Sequence, residues 1–200
     1  MNEINATSAS LLGRLHAKSD PSAWQRLVDL YSPLIRGWLR RHSVQDNDAD
    51  DLIQEVLTVV LRRFPDFKHN QRAGAFRAWL RSITINCARD FWKAKRIRPT
   101  VPGGTDFGGL LDQLADPDNP LSQAWDREHD LHVTRKLLEM IEPQFAANTW
   151  KAFRKVALEG MPPEEVAREL GITVNAVFIA KSRVLSKLRE EAAGLIETNE

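Results

Sequence analysis

The sequence predicts an all-α protein: two helical domains joined by a flexible linker, the C-terminal domain carrying a helix-turn-helix. Three observations predict it. Apolar residues recur at three- and four-residue spacing through most of the chain. One stretch, "RPTVPGGTDFGGLLDQLADPDNP", holds four Pro and four Gly in 23 residues and separates two such helical regions. Finally, a helical pattern stops at Gly171 and restarts almost at once. The expected division is residues 1–98, a linker over 99–120, and residues 121–200.

The elements follow in order. After Asp20, "PSAWQRLVDLY" reads as a helix start, with Asp20 as N-cap, Pro21 at the first helical position, and Trp24, Leu27, Val28 and Tyr31 on one face. Pro33 is expected to break or kink that run. A second helix is predicted over Asp48–Arg63, with Leu52, Val56, Val59, Val60 and Phe64 on its buried side and Pro65 closing it. Ala73 to about Arg98 forms a third, because Phe76, Leu80, Ile83 and Cys87 keep helical spacing although Ile83-Thr84-Ile85 favours strand. Leu121–Ile141 resumes the pattern beyond the linker, Pro143 restarts the chain into "QFAANTWKAFRKVALEG", and Gly160, Pro162 and Pro163 punctuate.

The last segment, "EEVARELGITVNAVFIAKSRVLSKLRE", has the residue types that a helix-turn-helix needs. Ala167 is the small residue at the helix crossing, and Gly171 can take positive φ in the turn. Val166, Leu170, Ile172, Val177 and Ala180 fall at the apolar positions, and the Thr173 hydroxyl can cap the second helix. An ordinary corner between two core helices uses the same Gly. Lys181, Ser182, Arg183, Lys187 and Arg189, with few acids before Glu190, favour a phosphate-facing helix.

Bulk composition limits the function classes. The chain has 200 residues, 28 % charged and 42 % apolar, which suits a folded domain or two. No apolar run approaches the roughly 20 residues of a bilayer span, and the N-terminus does not read as a secretion signal. Cys87 is the single cysteine, which excludes an internal disulfide or a cysteine-built zinc site. A cytoplasmic protein without membrane contact is expected. "DNDADDLIQEV" fails as a calcium loop, since its sixth and twelfth positions are Asp51 and Leu57. His129 and His132 have no further ligand nearby to complete a metal site. With no phosphate loop or nucleophile motif either, no catalytic residue, cofactor or metal is expected, and the protein is read as no enzyme.

The net charge of +1 conceals a sorted distribution. Residues 46–55 hold five acids (Asp46, Asp48, Asp50, Asp51, Glu55) and no base, so one surface suits a protein partner. From Arg62 to Arg98 there are eleven Lys or Arg against Asp66 and Asp90, interleaved with Phe76, Trp79, Phe91 and Trp92, a mixture that suits nucleic acid. Phe76 and Trp79 themselves fit a core better, by their spacing with Leu80 and Ile83. Residues 106–130 reverse the sign, with seven acids against Arg127 alone; such a strap could shield the basic block.

The order of these parts resembles the extracytoplasmic-function (group four) sigma factors of bacterial RNA polymerase, in the sigma-70 family. "DADDLIQEVLTVVLRRFPDF" is similar to the helix that docks on the clamp coiled coil of the largest polymerase subunit. "FRAWLRSITINCARDFWKAKRIRP" is similar to the promoter-melting segment, with Trp79, Leu80, Ile83, Asn86 and Asp90 in register, and the C-terminal segment to the reader of the minus-thirty-five element. The resemblance covers roughly Asp20–Arg98 and Ile141–Leu195. It implies a sigma factor that directs core RNA polymerase to specific promoters, with core contacts from Asp51, Leu52, Gln54 and Glu55. It implies that the loop Lys68–Gly74, through Lys68, Asn70 and Arg72, together with Arg77, Asn86, Arg89, Lys93 and Arg96, handles the minus-ten element as duplex and as melted non-template strand. In that family a flipped base of the non-template strand is captured there without nucleotide hydrolysis, and the resemblance implies the same here.

For the minus-thirty-five element it implies Thr173, Asn175, Ala176, Phe178, Lys181, Ser182, Arg183 and Lys187. Here the chain departs from the family: Phe178, Ile179 and Ala180 stand where polar and basic residues are common. Base contacts are then expected from Asn175, Ala176 and Phe178 by shape and apolar contact, with Lys181, Ser182 and Arg183 on the backbone. An anti-sigma protein is a further partner that the resemblance suggests. The alternative, a self-contained helix-turn-helix regulator, leaves the acidic helix and the aromatic-basic block without a role.

Overall fold

The computed structural model describes residues 10–16, 20–42, 44–68, 74–95 and 107–196. Among them the only β-type pairing is an isolated bridge between Ala193 and Ile196, and helices make up nearly all the rest. In chain order these are α1 (Leu11–His16), α2 (Pro21–Arg41), α3 (Asp46–Arg63), α4 (Ala75–Lys95), α5 (Phe107–Ala115), α6 (Pro120–Ile141), α7 (Ala147–Phe153), α8 (Pro163–Leu170) and α9 (Val174–Ala192).

The start of α2 is as expected: the Asp20 carboxylate accepts from the backbone N–H groups of Ser22 and Ala23, with Pro21 at the first position. Pro33, however, does not break the helix, which runs on to Arg41. Pro33 sits on the exposed side, where water can replace the donor that a proline lacks. On the other side Leu27, Leu30, Tyr31, Leu34, Ile35, Trp38 and Leu39 are buried, and this apolar stripe outweighs the lost bond.

Two further elements differ from the sequence reading. Helix α1 was not anticipated; Leu11, Leu12 and Leu15 bury it against the rest. Within the stretch expected to be a flexible linker, α5 forms over Phe107–Ala115 and buries Phe107, Leu110, Leu111 and Leu114. That i, i+3, i+4, i+7 set is a helical stripe, and the surrounding Gly and Pro hide it from composition-based reading. Residues 99–106 of that stretch lie outside the described residues.

The main core joins α1–α5 with most of α6, the end of α9 and the residues just after it, through residues such as Tyr31, Phe64, Phe76, Phe107, Trp125, Val133, Leu137, Ala192 and Leu195. Two smaller clusters hold the C-terminal end: Ala152, Val166, Ala167, Val177 and Ala180 in one, Ile141, Trp150, Phe153 and Val184 in the other. Helix α6 therefore lies in both regions. Its Tyr31-facing half belongs with α2, although the sequence groups the whole of it with the C-terminal unit.

Helices α8 and α9 meet as the residue pattern requires. Gly171 closes α8 in the left-handed conformation (φ 64°, ψ 34°), and its backbone N–H donates to the Ala167 carbonyl. Thr173 then caps α9, its hydroxyl oxygen accepting from the Ala176 N–H at 3.1 Å. Val166, Ala167, Val177 and Ala180 are buried between the two helices, with Leu170 and Ile172 packed beside them.

Candidate nucleic-acid and protein interfaces

Three surfaces carry the residues singled out by sequence. The first is the outer face of α3. Ala49, Leu52, Ile53, Val56 and Val60 turn inward, leaving Asp51, Gln54 and Glu55 exposed. The neighbouring acids are held within the chain: Asp46 by Arg40 at 2.7 and 2.9 Å, Asp48 by Lys95, and Asp50 by Arg36. Asp51 and Glu55 form no ion pair among the described residues, so their charge is available to an outside partner. Leu52 is corrected: it is fully buried and anchors α3 instead of presenting a contact. Leu61 takes a place that sequence reading missed. Its side chain is 51 % exposed, two turns beyond Gln54 on the same face. An exposed Leu beside Gln54 breaks the helical burial pattern, and that was the available signal.

The second surface is α4. Ala78, Ser82, Asn86, Arg89 and Lys93 follow helical spacing, and Asn86, Arg89 and Lys93 are exposed. Around Asn86 a small cavity of about 110 Å³ is lined by Arg81, Ser82, Ile85 and Arg89, with Ala115 of α5 along its edge. Lys68 is exposed, a few residues beyond the end of α3. Asn70, Arg72 and Arg96 lie outside the described residues. The aromatic members are packing residues: Phe76 sits in a cluster with Phe64, Phe67 and Trp79, while Trp92 packs edge-on to Phe107. Phe76 and Trp92 are buried, and Phe91 lies under the Lys95 ammonium at 4.5 Å.

The basic residues of α4 do not all face outward. Arg77 Nη1 donates to Asp130 Oδ2 at 2.5 Å, and its Nε lies 3.4 Å from Asp126. Arg81 is buried and donates to Asp126 at 2.5 Å. Arg89 pairs with Asp112 of α5 at 2.6 Å, and Arg41, at the end of α2, pairs with Glu128 of α6. Acids of α5 and α6 thus occupy the arginines of α4, as charge sorting along the chain suggested.

A buried polar chain fixes α6 in this place. The hydroxyl of Tyr31 lies 3.2 Å from His129 Nε2, and His129 Nδ1 lies 2.9 Å from Asp130 Oδ1. An ionised carboxylate only accepts, so Nδ1 carries the proton and the Tyr31 hydroxyl donates to Nε2. Burial pushes the His129 imidazole below its usual value despite that bond. Asp130 is held below the ordinary carboxylate range: burial opposes this, but hydrogen bonds from His129 and Arg77 prevail. Cys87 is buried too, and burial raises its thiol to about 11, well away from a reactive thiolate.

The third surface is the outer side of α9. Val177, Ala180 and Val184 face the core, so at 3.6 residues per turn Asn175, Ile179 and Ser182 face away from it. Phe178 and Arg183 flank that face and are exposed, while Ala176 and Lys181 are half-buried. Thr173 uses its hydroxyl as the cap. Lys187 is corrected: it turns toward the chain and pairs with Glu190 at 3.3 Å and Glu191 at 3.1 Å. Glu191 also accepts Arg14 of α1 at 2.9 Å, and the Lys187–Glu191–Arg14 group ties the last helix to the first.

Comparison with known proteins supplies the remaining observation. Residues 27–97, from α2 to the end of α4, match the sigma-70 region 2 family. Among curated proteins the chain is similar to RNA polymerase sigma factor CnrH of Cupriavidus metallidurans, 26 % identical over 89 % of this chain and 91 % of that one. It is also similar to the ECF RNA polymerase sigma-E factor of Haemophilus influenzae, at 25 % over 92 % and 96 %, and to the ECF RNA polymerase sigma factor SigF of Caulobacter vibrioides, at 26 % over 86 % of each chain. Among solved structures, CnrH in complex with the cytosolic domain of CnrY matches at 22 % identity and a TM-score of 0.37, over 89 % of this chain and 92 % of that one. Among the described residues no helix is long and apolar enough to cross a membrane.

Proposed function

Because the chain belongs to the extracytoplasmic-function branch of the sigma-70 family, and so directs RNA polymerase to promoters, we propose that its three surfaces divide that task. The outer face of α3, through Asp51, Gln54 and Glu55 with Leu61 two turns further along, docks on the clamp coiled coil of the largest polymerase subunit. The outer stripe of α4, through Asn86, Arg89 and Lys93 with Lys68 beside it, meets the minus-ten element and the melted non-template strand. Helices α8 and α9 form a helix-turn-helix that enters the major groove of the minus-thirty-five element. In this reading residues 1–98 and 121–200 are the two working units, and residues 99–120 connect them.

The single observation that carries the proposal is the coincidence of two things in residues 27–97. The region-2 match falls on the helices that present both an unpaired acidic-amide face and an exposed basic stripe. An acidic face with one Leu suits a protein partner, where charge gives orientation and the apolar side chain gives contact area. The arginines paired to Asp126, Asp130 and Asp112 would exchange these partners for phosphates when promoter DNA binds. Opening of the duplex then needs no hydrolysis: unpaired bases are held after they separate, and binding energy offsets the cost of melting.

Titration of the purified protein into core bacterial RNA polymerase, followed by gel filtration, tests the docking assignment. Stoichiometric co-elution at moderate salt is expected for the wild type. Gln54→Ala with Glu55→Ala should weaken co-elution at least tenfold while leaving the helical circular-dichroism signal unchanged. Wild-type co-elution by that double variant would remove α3 from the interface. Elution of the wild type as a free species would leave α8 and α9 as a regulator that works without polymerase.

A further inference from the structure

The outward face of α9 carries an apolar feature that its neighbours do not explain. Phe178 is 51 % exposed and Ile179 is 43 % exposed, in the second turn of a helix whose core side is already filled by Val177, Ala180 and Val184. No acid occurs between Val174 and Arg189, and Arg183, exposed one turn beyond Ile179 on the flank opposite Phe178, is in a position to hold a phosphate. The surroundings therefore suit an anionic partner, while the centre of the face is apolar.

Duplex DNA offers one surface that combines these demands. In the major groove the base edges are polar except for the C5-methyl group of thymine. We propose that Ile179 and Phe178 specify thymines of the upstream promoter element by contact with their C5-methyl groups. This rests on the placement of α9 in the major groove proposed above. Asn175, one turn before Ile179 on the same outward face, has the side-chain amide that pairs with adenine N6 and N7, so the three residues together favour consecutive A·T pairs. Arg183 fixes the helix on the backbone and carries no base preference of its own.

Deoxyuridine makes the test direct, because it pairs like thymine and lacks only the methyl group. The full-length protein, assembled with core RNA polymerase, is used to select from duplexes randomised across the upstream element. The winning duplex is then remade with deoxyuridine at each thymine in turn. The expected loss is about fourfold per contacted methyl, from about 0.8 kcal/mol per buried carbon. For Phe178→Ser with Ile179→Ser the thymine and deoxyuridine duplexes should bind within twofold of each other. Both residues are exposed, so the core is untouched, and the base replacement in the wild type needs no variant at all.

Selection of a definite upstream sequence whose deoxyuridine form binds as well as the thymine form would overturn the methyl contact and leave α9 in the groove. Failure to select any upstream sequence, with Arg183→Ala also without effect on promoter binding, would overturn the placement of α9 and the methyl contact with it.

Discussion

At the scale of single residues, His129 shows how a polar side chain can hold a helix in place. It is enclosed between Tyr31 of α2 and Asp130 of its own helix, and it is neutral there because burial disfavours the imidazolium. His42 and His132 are also held below the usual histidine value, chiefly by burial. In the unfolded chain each takes up a proton near pH 6.5, whereas the folded protein resists until lower pH. The unfolded state therefore binds more protons below 6.5. Stability is complete above that value and declines as pH falls toward the folded pKa values. Thermal unfolding between pH 7.5 and 5.0 should show this decline. His129→Gln should reduce its slope by up to about 1.4 kcal/mol per pH unit, the contribution of one proton. An unchanged slope would mean that His129 is protonated in the fold.

At the scale of elements, the corner between α8 and α9 depends on one backbone conformation. Gly171 has φ of +64°, and a Cβ added there would meet nothing within 4 Å. The cost of replacing it is thus intrinsic to the left-handed backbone and not to crowding. Gly171→Ala should destabilise the protein by about 1 kcal/mol, read from denaturant unfolding. A loss above about 3 kcal/mol would instead point to a packing clash. The same corner was legible in the sequence because its determinants are local: a Gly at the turn, a Thr three residues before the N–H that it caps, and apolar residues at fixed spacing. Helix α5 was not legible, since Phe107, Leu110, Leu111 and Leu114 form a helix by packing on a surface built from α4 and α6. A stripe of nine residues has too little intrinsic helicity to announce itself. Pro33 failed as a helix stop for a related reason, because the buried side of α2 overrode a local preference.

At the scale of the whole molecule, the acids of α5 and α6 cover arginines of α4, and Glu191 joins α9 to α1 through Arg14. Asp126→Asn with Asp130→Asn should release Arg77 and Arg81 and steepen the salt dependence of binding to promoter duplex. Each arginine that gains a phosphate adds about 0.9 to the slope of log K against log salt, so a change near two is expected. Asp116→Asn with Asp118→Asn makes the same change in net charge at exposed acids that hold no arginine, and should leave the slope nearly unaltered. Equal slopes for the two pairs would show that Arg77 and Arg81 do not reach phosphate.

By itself the sequence determined the helical class, the caps at Asp20 and Thr173, the turn at Gly171 and the sorting of charge along the chain. Each of these is set within a few residues, by backbone conformation or by spacing on one helix. Which charged residues face outward was decided only by tertiary structure. Asp51 and Glu55 remain available while Asp46, Asp48 and Asp50 are paired, and Arg89 differs from Lys93 because Asp112 comes within 2.6 Å of it. The same is true of Leu52 and Leu61, one buried and one exposed on a single helix. An ion pair or a buried face joins residues distant in sequence, and its partner exists only once the helices have packed.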